Sequence, residues 1–217
     1  MIKFQLMSDI YYIIRPMQVE DIPEVARIDR EAFPGEWVFR SQSAYRQDLK
    51  NPAVRYIVAC NRSDVAESDG QEMQKKSWFK RLFGAGPHIN VPEHIVGFSG
   101  FWMMMKEAHI IAIGVRDSYR RLGIGEGLLV ATIELAQILN ANAVTLEVRA
   151  SNETAQSLYR KYGFRVTGRR TKYYSSDGED AVIMSTDNIG SLSFQASLQD
   201  LKEAYAQQHG NILARIR

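Results

Sequence analysis

One stretch narrows the possible folds more than any other. Ile110-Ile111-Ala112-Ile113-Gly114-Val115 is an apolar run, and soon after it comes Arg120-Arg121-Leu122-Gly123-Ile124-Gly125, basic and punctuated by glycine. A strand therefore runs into a turn. The turn opens residues 125–140, where Leu128, Thr132, Leu135, Ala136 and Leu139 share one face of an amphipathic helix. Glycines let backbone amides approach a bound group closely. Free amides at a helix N-terminus, helped by the helix dipole, favour phosphate. Read alone, the hexamer is either a phosphate-binding turn or a glycine-containing β–α turn with solvated arginines. It is neither the phosphate loop ending Gly-Lys-Ser/Thr nor the dinucleotide fingerprint, because Gly123-Ile124-Gly125 lacks the third glycine.

The rest of the chain supplies strands before this unit and alternation after it. Strands are expected at 11–16, 54–60, 94–105, 108–115, 143–148, 164–167 and 180–186. Asp21-Ile22-Pro23-Glu24 starts a helix that Phe33-Pro34-Gly35 breaks. A short helix is expected at 43–50, another at 152–162, capped by Ser151 or Asn152 and closed by Gly163, and a last one at 197–208. Strands in a run, then alternating with helices, predict an α/β mixed sheet covered on both faces. The chain reads as a single domain over 1–190 with a polar insertion at about 61–93, followed by a helical tail at 191–217. In the insertion, Trp78, Phe79, Leu82 and Phe83 fall at helical spacing among lysines and arginines. That cluster either docks an acidic partner or folds back on the protein's own body.

Charge and cysteine content exclude several classes. A net charge of +2 over 217 residues does not suit a direct nucleic-acid binder. The single cysteine, Cys60, rules out an intramolecular disulfide framework and suits a reducing compartment. The N-terminal stretch lacks a signal-peptide h-region, and no run approaches the ~18 apolar residues of a membrane span. A cytoplasmic protein, a monomer or weak dimer with no transmembrane segment, is expected.

Two residues after the turn carry possible proton chemistry. Glu147 lies mid-strand, opposite in phase to Val144, Leu146 and Val148, so it faces either solvent or a cleft. Tyr159 follows on the next helix, spaced with Ala155 and Tyr162, where a tyrosine is more often core than catalyst.

Taken together these residues resemble a known family. Arg120-Arg121-Leu122-Gly123-Ile124-Gly125 matches the Q/R-x-x-G-x-G/A signature of the GNAT acetyltransferases. Leu146 to Asn152, Leu158-Tyr159, Tyr162-Gly163-Phe164, Phe33-Pro34 with Trp37, and Tyr173-Tyr174 followed by Glu179-Asp180-Ala181 resemble the bacterial ribosomal-protein-alanine N-acetyltransferases. The resemblance covers roughly residues 11–60 and 94–186. It implies a twisted mixed sheet of about seven strands and about four helices, splayed between the fourth and fifth strands.

It also implies acetyl-CoA as co-substrate, with no metal. The pyrophosphate would meet the backbone of Arg121, Leu122, Gly123, Ile124, Gly125 and Glu126 beside Arg120. The pantetheine arm would pair with Ile113, Gly114 and Val115 and touch Asn152. Glu147 would be the general base and Tyr159 the general acid, with a backbone N–H near Val115 polarising the thioester. Phe33, Trp37, Tyr173 and Tyr174 would line the acceptor groove. The implied acceptor is a protein N-terminus, that of a ribosomal protein; a lysine or small amine is the alternative, and a CoA-binding module without turnover is a third reading. Four departures stand out, the first being the insertion at about 61–93, which is foreign to the compact members of the family. Glu126 puts an anion near the phosphates, so its side chain must point away; Gly114 replaces a commoner alanine, which would leave the strand freer; and Val38 stands where a small hydroxyl residue is usual.

Overall fold

The computed structural model describes residues 12–34, 40–61, 94–210 and 213–214. Trp37, Val38 and the segment 62–93 with its aromatic-basic cluster lie outside the described residues. Strands β1 (Tyr12–Pro16), β2 (Val54–Asn61), β3 (His94–Met104), β4 (Glu107–Val115), β5 (Ala143–Arg149), β6 (Phe164–Arg170), β7 (Ala181–Thr186) and β8 (Leu213–Ala214) form one sheet, ordered β6-β7-β5-β4-β3-β2-β1-β8. The expected seven strands are joined by the two-residue β8, which pairs parallel to β1.

Helices α1 (Ile22–Ala32) and α2 (Gln42–Asp48) cover one face. Helices α3 (Ile124–Ile138), α4 (Glu153–Lys161) and α5 (Leu192–His209) cover the other. Alternation on β5 decides which residues go where. Val144, Leu146 and Val148 are buried toward α3, so Thr145, Glu147 and Arg149 face the α1–α2 side.

Strands β4 and β5 are parallel but pair only over Glu107 to Ile110 against Ala143 to Leu146. Beyond that rung β4 keeps β3 as far as Val115 while β5 pairs with β7, and the sheet splits. A bulge contributes. Gly100 opposes Ala112 and Phe101 opposes Ile110, leaving Ile111 without a partner residue. An extra residue of this kind bends the strand and increases its twist. It also puts Ile111 and Ala112 both on the α1–α2 side, between Ile110 and Ile113, which pack toward α3.

Two expectations needed revision. Helix α3 is not a half-exposed amphipathic helix: Leu128 through Ile133 are consecutively buried. The reason is α5, whose Phe194, Leu198 and Leu201 join the same cluster, while Lys202 pairs with Glu134. Strand β6 runs past 167 to Arg170, so Arg169 and Arg170 belong to the strand rather than to the turn. They pair with Val182 and Ala181, and an edge strand tolerates their charges. Among the described residues no helix is long and apolar enough to cross a membrane.

Candidate active site

The split between β4 and β5 has a carboxylate at its base. The Glu147 side chain is only 8% exposed. His109 on β4 donates through Nε2 to Glu147 Oε2 at 2.7 Å, and Arg170 on β6 lies 3.1 Å from Oε1. Both oxygens are thus held by cationic or donor groups, which orients the carboxylate. The sequence reading did not single out His109 or Arg170. Each becomes visible only once strand neighbours are known, because both are far from Glu147 in the chain.

After β4 the chain makes a 3-10 turn over Asp117–Tyr119 and enters the glycine loop. Arg120 pairs with Asp117 at 2.6 Å and remains half-exposed. Arg121 has φ +65° and Gly123 φ +80°, so two left-handed residues flank Leu122 and curl the loop before α3 begins. A side chain at Gly123 would be strained by that φ. It would also meet the His209 ring, 2.8 Å from an added Cβ. The Glu126 carboxylate is engaged by the end of α4: it accepts from Lys161 Nζ at 2.6 Å and from the Tyr162 hydroxyl at 2.7 Å. Burial, together with that acceptor, pushes the Tyr162 phenol up.

Gly114 has a different purpose from strand freedom. An added Cβ would lie 2.7 Å from the ring of Phe98, which is fully buried. The glycine makes room for that ring.

On the far side of the split, Asn152 caps α4, its side-chain oxygen accepting from the Ala155 amide at 3.1 Å. The residue is exposed, so its NH2 group remains available to a ligand. Tyr159, one turn from the end of α4, lies 5.7 Å from the Phe164 ring, and burial pushes its phenol up to about 12. Its hydroxyl has no hydrogen-bond partner among the described residues. Tyr159 packs toward the α3 cluster, on the face of the sheet opposite to the one Glu147 takes.

The turn after β6 is tied to the same group. Tyr173 and Tyr174 stack edge to face with centroids 5.2 Å apart. Arg149 lies 4.0 Å above the Tyr174 ring and pairs with Asp177 at 2.8 Å and Glu179 at 2.7 Å. Glu179 also accepts from the Ser151 amide, and these contacts hold its carboxyl down at about 2. Arg170 lies 5.6 Å from the Tyr173 ring as well as against Glu147. Glu147, His109, Arg170 and Tyr173 are therefore one contact chain. Phe33 is partly buried against the α1–α2 cluster.

This geometry can be compared with known proteins. Residues 59–164 match the Acetyltransferase (GNAT) family. The chain is 33% identical over 171 residues to a putative [ribosomal protein bS18]-alanine N-acetyltransferase of Bacillus subtilis, covering 79% of this chain and 92% of that one. It is 31% identical over 178 residues to an N-alpha-acetyltransferase of Sulfurisphaera tokodaii, covering 80% and 92%. The crystal structure of the ribosomal-protein-S18-alanine N-acetyltransferase from Escherichia coli superposes with a TM-score of 0.60 at 22% identity, over 82% of this chain and 94% of that one, a likeness of fold. This chain belongs to the GNAT acetyltransferase family, and it is an acyltransferase.

Proposed function

We propose that the protein transfers an acetyl group from acetyl-CoA to the α-amino group of a protein N-terminus, with the N-terminal alanine of a ribosomal protein as the acceptor its relatives suggest. The observation that carries this reading is the Glu147–His109 pair at the base of the β4–β5 split.

The residues suit the co-substrate. From Ile111 to Val115 one edge of β4 is released by β5, which suits the amide-rich arm of coenzyme A next to Ile113, Gly114 and Val115. The amides of residues 121–126 open α3, with Arg120 and Arg121 adding positive charge and Glu126 paired with Lys161, which suits a pyrophosphate. Acetyl-CoA supplies an acyl thioester already activated toward an amine. Glu147 takes the proton that the ammonium must lose, directly or through a water, while His109 and Arg170 hold the carboxylate in place. Tyr159, protonated throughout the neutral range, gives a proton to the departing thiolate, and the second proton that the nitrogen loses on becoming an amide makes good the phenol; the first leaves Glu147 to solvent. The new bond is the amide C–N; the bond broken is the thioester C–S. Tyr173 and Tyr174 wall the acceptor groove.

The acceptor choice rests on proton affinity. An α-amino group titrates near ~8 and a lysine near ~10.4, so freeing the lysine amine costs about 3 kcal/mol more. A single oriented carboxylate suits the easier task. The test is thiol release from acetyl-CoA with peptides that begin with alanine, set against N-terminally blocked peptides containing lysine and against polyamines. Acetylation of free termini is expected. Reaction at lysine or polyamine alone overturns the acceptor assignment, and coenzyme binding without any turnover overturns the enzymatic roles.

A further inference from the structure

The glycine loop is held from beneath by two tyrosines from opposite ends of the chain. Tyr12, the first residue of β1, donates its hydroxyl to the carbonyl of Leu122 at 2.5 Å. Tyr205, near the end of α5, donates to the carbonyl of Gly123 at 3.2 Å. Both residues are buried, Tyr12 at 6% and Tyr205 at 3% exposure. Burial pushes both phenols up, so each keeps the proton it donates. One turn later the His209 ring packs at a tilt against Tyr205, centroids 4.9 Å apart, and fills the space a side chain on Gly123 would need.

These contacts bear on the ligand side of the loop through peptide geometry. The Leu122 carbonyl shares a plane with the Gly123 N–H, and the Gly123 carbonyl shares one with the Ile124 N–H. In a planar trans peptide the two groups point opposite ways. Drawing both carbonyls toward the tyrosines therefore turns both amides outward, to the open end of α3. The Gly123 carbonyl also accepts from the Gly127 amide at 2.9 Å, so the Tyr205 bond adds to the first helical one. The Leu122–Gly123 plane lies between residues in left-handed conformations and outside the helix, so the Tyr12 bond is its fixed point.

We propose that Tyr12 and Tyr205 are positioning residues that pre-aim the Gly123 and Ile124 amides at the pyrophosphate of coenzyme A, making the C-terminal helix part of the coenzyme site. This rests on the acetyl-CoA reading above. It assigns to α5 a purpose beyond covering α3. The helix is anchored well below the loop by Leu198 and by Lys202 on Glu134, so its last turn arrives at Gly123 in a fixed position.

The test compares Tyr12→Phe, Tyr205→Phe and the double variant with the unaltered protein, using two donors: acetyl-CoA and S-acetylpantetheine, which has no pyrophosphate. Phenylalanine keeps the ring packing and removes only the hydroxyl. Each single variant is expected to weaken coenzyme A binding in calorimetry by about 3- to 10-fold, the range of one hydrogen bond. The ratio of kcat/KM for acetyl-CoA to that for S-acetylpantetheine should fall by the same factor. In nuclear magnetic resonance titrations with coenzyme A, the Gly123 and Ile124 amide shifts should be smaller in the variants. Equal losses with both donors, or unchanged coenzyme affinity alongside a lower melting temperature, overturn the proposal and leave a structural brace. If one variant fails to fold, the other, on a different element, decides. An unaltered protein that binds no coenzyme A overturns the parent reading and this one with it. One that binds normally while the variants match it overturns only this one.

Discussion

His109 and Glu147 join the last paired rungs of the β4–β5 ladder to the first residue of the split, with 2.7 Å between Nε2 and Oε2. The hydrogen bond places the carboxylate where the parallel strands part, and its 8% exposure keeps competing water few. If Glu147 is the base, Glu147→Gln lowers kcat by roughly 10²–10⁴-fold in a peptide acetylation assay. His109→Leu lowers it by about 10- to 100-fold, the cost of one hydrogen bond to a charged group. His109→Gln, which retains a donor, should lose less than His109→Leu. Equal losses in the two would show that the histidine does more than orient.

Alkaline pH should weaken the fold in a way the tyrosines predict. Burial raises the phenols of Tyr12, Tyr45, Tyr56, Tyr159, Tyr162 and Tyr205 above their ordinary 10. Unfolded, each loses its proton near pH ~10, whereas folded it keeps the proton to higher pH. The unfolded state then binds fewer protons, so stability is complete below ~10 and falls as pH rises beyond it. Urea midpoints should hold steady from pH 7 to 9.5 and drop above 10. Tyr159→Phe should blunt the part of that drop between 10 and about 12. The same variant tests the acid role, with kcat expected to fall about 10²-fold or more at neutral pH.

Gly114 supplies a packing test. An added methyl would sit 2.7 Å from the Phe98 ring, with the Ala32 side chain 3.4 Å away. Gly114→Ala should cost about 1–3 kcal/mol by overpacking, read from denaturant unfolding. Adding Phe98→Leu should recover part of the loss. No recovery would mean the clash relaxes into the backbone of β4 instead, and the KM for acetyl-CoA would then rise.

The order of elements, the glycine loop and the phase of Glu147 were legible because each is local: a period of two, a period of 3.6, a cap or a glycine at a fixed offset. What was not legible depends on which strands become neighbours. His109 and Arg170 reach Glu147 only because β4, β5, β7 and β6 are adjacent in the order the sheet takes. The run Leu128 to Ile133 has almost no polar face and so announces a buried α3, but which element covers it, α5, is not written within residues 124–138. Gly114 reads as backbone freedom in one dimension and as room for Phe98 in three. The sequence also gives Glu126 as a misplaced anion, whereas its partners Lys161 and Tyr162 come from another helix.

That last arrangement makes Glu126 a test of both stability and coenzyme affinity. Its carboxylate is the acceptor for the largely buried Tyr162 hydroxyl, and its side chain is 15% exposed. Glu126→Ala leaves that hydroxyl without its acceptor and should cost about 1–3 kcal/mol of stability, measured by thermal or denaturant unfolding. The loop gains positive potential at the same time, because Lys161 loses its counter-ion beside the first turn of α3. The KM for acetyl-CoA should therefore stay level or fall even as the melting temperature drops. Lys161→Ala reverses the signs: it removes one of two tethers on the carboxylate and a nearby cation, so the KM should rise with little change in stability. A KM that rises in Glu126→Ala would show that the carboxylate, and not only the backbone amide of residue 126, takes part in holding the coenzyme.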